Sequence, residues 1–275
     1  MRELSISEIH EAILKTFEEL ELIFNKLNIN YFIAYGTLIG AVRHKGFIPW
    51  DDDFDVILLR PDFDKFVDYC HKNINNTMSK YKLMDYTNTI NYPFTIPRFC
   101  NLNYEMISDD YKDINMGIFI DIYPYDGLGN SKKKAIKKLT VQKKFYMIAL
   151  SSVIKKKVSY DGKNILKLCL SYFIFLYAKN KSSIYFIDKL IQLKDKFKLD
   201  DSKYIGCVVW DFDLVPKEKK WFLDIDYLEF EGHKVKVPIG YDEVLKESYG
   251  NYMKLPPINE QKASHNYRIY SKENS

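Results

Sequence analysis

Trp50-Asp51-Asp52-Asp53-Phe54-Asp55-Val56 carries four acids in seven residues. If the segment is extended, alternation puts Asp51, Asp53 and Asp55 on one face, while Phe54 and Val56 point into a core. Carboxylates at that spacing repel and raise one another's pKa. A divalent cation removes the conflict, because carboxylate oxygens are the ligands that Mg²⁺ and Mn²⁺ prefer. A solvated acidic turn is the plain alternative. What favours the metal is the apolar strand that follows, Phe54 to Leu59, and the turn that precedes it.

That turn is Gly36-Thr37, after the apolar run Tyr31 to Tyr35. A glycine there lets backbone approach a phosphate, and the N-terminus of the next helix offers free N–H groups and a positive dipole end. Any strand-to-helix turn may carry glycine, so the signal lies in the order of parts. Arg43, His44 and Lys45 follow, read either as cations for a phosphate or as the solvated basic end of a short helix. Asp121 supplies a third carboxylate, within the otherwise apolar Gly117-Ile118-Phe119-Ile120-Asp121-Ile122. A charge in such a strand is costly unless it is paired or liganded. We read it as a ligand, with an Asp bonded to backbone N–H groups as the alternative.

The elements around these residues are legible from periodicity. Ser5-Ile6-Ser7-Glu8 has the form of a capping box, and Ile6, Ile9, Ile13, Phe17, Leu20, Phe24 and Leu27 recur at helical steps. A short helix is expected to open with Thr37 as its N-cap, and another with Asp62. Further strands are expected at 81–84, 93–102 and 117–122, a hairpin around Glu231-Gly232, and a helix at 241–249. Mixed strands and helices in this order make the class α+β. The expected organisation is a core of residues 1–130, a Lys-rich helical insertion of 131–205, and residues 206–275 completing the catalytic domain.

Composition excludes several classes. The 275 residues are 47% hydrophobic and 28% charged, as in a soluble globular protein. A net charge of +4 is too even to argue for nucleic acid. Cys70, Cys100, Cys169 and Cys207 form no CxxC pair, which argues against zinc and a disulfide framework. The N-terminus lacks the apolar stretch of a signal peptide, so the expected location is cytoplasmic. Ile165 to Ala178 is nearly all apolar but falls short of the ~20 residues that span a bilayer. It reads as a core helix, or as an interfacial helix resting on the anionic inner face of a membrane.

The segment YFIAYGTLIGAVRHKGFIPWDDDFDV resembles the signature of the LicD family, relatives of the fukutin-related proteins within the nucleotidyltransferase-fold superfamily. The resemblance continues in GIFIDIYPYDG, in PIGYDEVLKESYGNYMKLPP and at His265, and is poor over 131–205. It implies a nucleotidyltransferase-like mixed sheet flanked by helices. It further implies transfer of phosphocholine, or a polyol phosphate, from a CDP-linked donor to a hydroxyl of a cell-surface glycan or teichoic-acid precursor, with CMP leaving. By motif, Asp53, Asp55 and Asp121 would hold Mg²⁺ or Mn²⁺, and Gly36-Thr37 would meet the donor phosphates. Arg43, His44, Lys45, Asp51 and His265 are further substrate-side candidates, and Asp121 is a candidate proton acceptor. Lys262 and Arg268 flank His265, and the family's tail cation could be either.

Other readings are weaker. A nucleotide-sugar glycosyltransferase normally places several strands before its Asp-x-Asp, and here one helix and one strand precede Asp53. A haloacid-dehalogenase phosphatase needs Thr where Ile57 stands. A non-catalytic glycan-binding module would leave three acids with no metal to offset them. A second Asp-x-Asp, Trp210-Asp211-Phe212-Asp213, lacks a Gly-Thr turn and reads as structural.

Overall fold

One strand organises the sheet. In the computed structural model, β7 (Ile118–Gly129) is 12 residues long and buried throughout. The structure describes residues 1–77, 79–90, 92–110, 114–153, 198–210, 214–263 and 266–272, with scattered positions between 172 and 189. Along one edge, residues 121–125 of β7 pair in parallel with β3 (Asp55–Leu59). Along the other, its first half pairs antiparallel with β5 (Arg98–Asn101) and its second half with β8 (Tyr204–Gly206). β2 (Tyr31–Ile33) borders β3, β4 (Tyr81–Met84) borders β5, and β9 (Lys217–Glu218) borders β8, all antiparallel. This mixed sheet with packed helices is the α+β class read from the sequence.

Alternation divides the sheet into two faces. Val56 and Leu58 of β3, with Ile120 and Ile122 of β7, join the core under α1 (Ile6–Lys26). Its Ser5 and Glu8 make both bonds of the capping box, and Ile13, Phe17, Leu20 and Phe24 form its buried stripe. Each such side chain contributes ~1.5–3 kcal/mol by leaving water. On the opposite face Ile57, Tyr123 and Tyr125 pack with Ala135, Leu139 and Tyr146 of α4 (Lys132–Val153). Asp55 and Asp121 therefore point to the α4 side.

Two helix starts differ from expectation. α2 (Tyr35–His44) begins two residues before Thr37, with Ala34 at the N-cap and no side-chain cap. The Thr37 hydroxyl instead accepts the backbone N–H of Asp55 at 2.9 Å. α3 (Arg60–Tyr69) begins with Pro61 in its first turn, and the Asp62 carboxylate accepts the Asn30 N–H at 3.2 Å. Both polar side chains link neighbouring segments in place of capping their own helices.

The C-terminal part returns to the core. β10 (Ile225–Phe230) and β11 (His233–Pro238) form the expected hairpin, which packs on β2. Its turn residues Glu231 and Gly232 both have positive φ, 49° and 79°, as a type I′ turn requires. α5 (Tyr241–Tyr249) follows. The last strand, β12 (Tyr267–Ser271), lies between β1 (Arg2–Glu3) and β6 (Tyr104–Ser108), tying the two ends of the chain together.

Arg60 and Asp126 lock β7 to the start of α3. The guanidinium donates Nε and Nη2 to the two carboxylate oxygens, each at 2.7 Å, and Asp126 is buried. Breaking a buried pair on one side typically costs about 3–5 kcal/mol. Arg60→Met should lower the urea midpoint accordingly; an unchanged midpoint would show that the pair contributes nothing.

Candidate active site

Asp55 opens β3, and its register neighbour on β7 is Asp121. Asp53 joins them from the preceding loop, so that one ligand atom of each of the three carboxylates lies within 4.8 Å of the others. The strand starts only at Asp55, so the alternation expected from Asp51 onward does not hold. Asp51 lies outside the group of three but close enough for its charge to act on Asp55. The Oδ2 of Asp51 lies 2.5 Å from where a Cβ on Gly36 would stand. The glycine in the Gly-Thr turn thus accommodates Asp51 against the first turn of α2. The Asp51 carbonyl is held by His10 Nε2 at 2.6 Å, and His10 stacks on Phe47 at 4.1 Å.

The carboxylates are not equivalent. Asp55 is buried, and the Tyr123 hydroxyl donates to it, yet its Oδ1 has no hydrogen-bond partner among the described residues. Burial first, then the charges of Asp53, Asp121 and Asp51, push its pKa well above the usual carboxylate range. Asp121 has a cation of its own. Arg98 Nε donates to Oδ1 at 2.5 Å and Nη2 to Oδ2 at 3.2 Å. Burial disfavours the charged guanidinium, but Asp121 outweighs it and raises the Arg98 pKa.

Three contributors escaped the reading of the sequence: Arg98, Tyr123 and Tyr267. Tyr267 reaches in from β12, donates to the Asp52 carbonyl at 3.1 Å and packs edge-on to Phe119 at 5.6 Å. Burial, then Asp52 and Asp53, raise its pKa. Arg98 had a signal, since it is a lone charge in an apolar strand just as Asp121 is. The tyrosines had none.

The basic triplet stands at the other end of α2. Arg43 is six residues beyond Thr37, ~9 Å along the axis at 1.5 Å per residue. Its Nε donates to His44 Nε2 at 2.9 Å and its Nη1 to the Tyr252 carbonyl at 3.2 Å. Burial lowers the pKa of both groups, and Arg43 adds to the effect at His44. Lys45 is the left-handed C-cap and pairs with Glu229 at 3.3 Å on the surface. His265, Asp211 and Asp213 lie outside the described residues. Arg268 borders an open cleft with Asp109, Asp110 and Tyr267.

A divalent cation fits the carboxylate cluster. The donors are all hard oxygens, and the bare Oδ1 of Asp55 is the kind of buried lone pair that a cation satisfies.

Residues 28–155 match the nucleotidyltransferase domain of the LicD/FKTN/FKRP proteins. The lipopolysaccharide cholinephosphotransferase LicD of Haemophilus influenzae is 32% identical over 280 aligned residues, covering 98% of this chain and 99% of that protein. The chain belongs to the LicD family. Uncharacterized proteins of Rickettsia prowazekii and Rickettsia typhi share a 40-residue stretch at 52% identity, 14% of this chain. Among the LicD features that the sequence suggested, the three carboxylates come together, whereas the Arg43–Lys45 triplet is carried to the far end of α2.

The unequal surroundings of Asp55 and Asp121 give their amide variants opposite signs. Without metal, Asp55→Asn removes a carboxyl whose charged form burial and its neighbours disfavour, and should melt at or above the wild type. Asp121→Asn strands the buried Arg98 charge and should lose about 3–5 kcal/mol. The raised Asp55 pKa also means that the metal-free wild type loses stability as pH climbs from the ordinary carboxylate range through the raised value. Mg²⁺ or Mn²⁺ should restore it there and do little at low pH, where protons compete. Calorimetry of both variants, with and without metal, checks this; equal shifts in the two would refute the asymmetry.

Proposed function

We propose that this LicD-family chain is a metal-dependent transferase that moves phosphocholine from a CDP-linked donor to a hydroxyl of a cell-surface glycan, releasing CMP. The observation that carries the reading is the end-to-end similarity to a lipopolysaccharide cholinephosphotransferase. Asp53, Asp55 and Asp121 hold the cation. A bound Mg²⁺ or Mn²⁺ supplies counter-charge to the donor diphosphate. Gly36, Thr37 and the first turn of α2 face the phosphates, with N–H groups that no side chain caps. The acceptor oxygen attacks the choline-bearing phosphorus, the diphosphate bridge breaks, CMP departs with the bridging oxygen, and the hydroxyl loses its proton. The protein's contribution is positioning and electrostatics, as is general for phosphoryl transfer.

The acceptor class suggests a membrane surface, and the apolar run 165–178 suits it, of which 165–171, 174 and 175 lie outside the described residues. Tyr172, Phe173, Leu176 and Tyr177 recur at helical spacing and are 49%, 66%, 42% and 51% exposed, whereas Ala178 is buried. Exposed Lys181 stands 5.4 Å from the Tyr185 ring. No helix among the described residues is long and apolar enough to cross a membrane. We read the stretch as a peripheral contact with anionic lipid, aromatic side chains at the interface and lysines at the headgroups.

Two measurements test this reading. CMP release from a panel of CDP-linked donors should be fastest with CDP-choline, require Mg²⁺ or Mn²⁺, and fall below detection in Asp53→Asn and Asp55→Asn. Faster release from a CDP-polyol would reassign the head group, and unchanged release in both variants would remove the carboxylate site. Separately, the protein should co-sediment with anionic vesicles, less so in high salt and in Phe173→Ser/Leu176→Ser. Failure of the wild type to co-sediment would refute the membrane contact.

A further inference from the structure

Arg98 is held more tightly than an ion pair alone requires. Its guanidinium carbon lies 3.5 Å from the centroid of the Phe94 ring and 3.8 Å from that of Phe119. The side chain is 4% exposed and meets both oxygens of Asp121. The backbone fixes the same relation, since Asp121 is the register neighbour of Arg98 on β5 and of Asp55 on β3. A row Arg98–Asp121–Asp55 thus crosses three adjacent strands. Two ring faces this close confine the guanidinium, and its two bonds confine the carboxylate.

We propose that Arg98 is a positioning residue for the candidate metal site: clamped between Phe94 and Phe119, it locks the Asp121 carboxylate toward Asp55 and Asp53 and makes Asp121 a ligand, not the proton acceptor. This inference rests on the metal site proposed above. A carboxylate with a guanidinium on both oxygens retains lone pairs for a cation, but its position is not free to follow a substrate hydroxyl. Groups that orient metal ligands are typically worth roughly 10–100-fold in metal affinity or activity. Lysine cannot replace such an arginine, because a point charge neither stacks between two rings nor fixes a carboxylate plane.

The test uses the full chain with Mn²⁺ alone as the first probe, read by electron paramagnetic resonance without donor. Arg98→Lys should weaken Mn²⁺ binding roughly 10-fold or more and lower CMP release per folded molecule by a similar factor. The KM for the CDP-linked donor should stay within about twofold if Arg98 acts through Asp121 alone. If Arg98→Lys folds poorly, Phe94→Leu loosens the clamp without touching the ion pair and should show the same losses in milder form. In the double variant Arg98→Lys/Asp121→Asn, the rate should be no lower than in Asp121→Asn, because the effect travels through Asp121. A variant that melts lower but keeps wild-type Mn²⁺ affinity and turnover makes Arg98 merely structural and overturns the proposal, as does additivity in the double variant. A wild type that binds no Mn²⁺ fails differently, because it removes the metal site itself.

Discussion

Mutual repulsion among Asp53, Asp55 and Asp121 is the constraint that the surrounding structure has to contain. Three carboxylates whose oxygens lie within 4.8 Å, two of them buried, would separate if their backbones could move. They cannot, because Asp55 and Asp121 are register partners on strands that are buried, β7 throughout and β3 up to Leu58. β3 and β7 are fixed by the core under α1 on one face and by the α4 side on the other. The apolar packing thus supplies the energy that holds like charges together, and a cation could recover part of it on binding.

The supporting elements converge on the same place from distant parts of the chain. α2 brings an uncapped N-terminus, with the Thr37 hydroxyl tying it to the first N–H of β3. Gly36 leaves room for Asp51 beside that turn. From the other end of the chain, β12 inserts Tyr267 against the Asp52 carbonyl and the Phe119 ring. The C-terminal segment therefore belongs to the wall of the site, as the family resemblance in that part of the sequence implies.

What could be read from the sequence was mostly local. The capping box, the stripe of α1, the hairpin turn and α5 are decided by neighbours within a few residues, and each appears where expected. Asp121 was legible because a lone charge in an apolar run needs a partner or a ligand. The same logic applies to Arg98 in Pro97-Arg98-Phe99-Cys100, but the partnership of the two is set by sheet register across 23 residues, which no local pattern encodes. Arg43, His44 and Lys45 are close to the aspartates in the chain, and α2 sets them at its C-terminal end, ~9 Å along the axis from Thr37. Asp51 stays near the cluster, and its charge acts on Asp55, but strand alternation does not place it there, because β3 begins four residues later.

The distribution of compensating groups gives the site a direction. Asp121 is satisfied from within, by a guanidinium sealed between two rings, while Asp55 keeps a bare oxygen. The oxygen left without a hydrogen-bond partner among the described residues is therefore on Asp55, one strand further from β5 than Asp121. That is also the side of the Thr37 hydroxyl, bonded to the Asp55 N–H, and of the first turn of α2. An anionic ligand bringing a divalent cation finds carboxylates for the metal and the positive end of a helix dipole for its phosphates on one side of the cluster. The buried arginine, paired with Asp121, fills the β5 side of the Arg98–Asp121–Asp55 row.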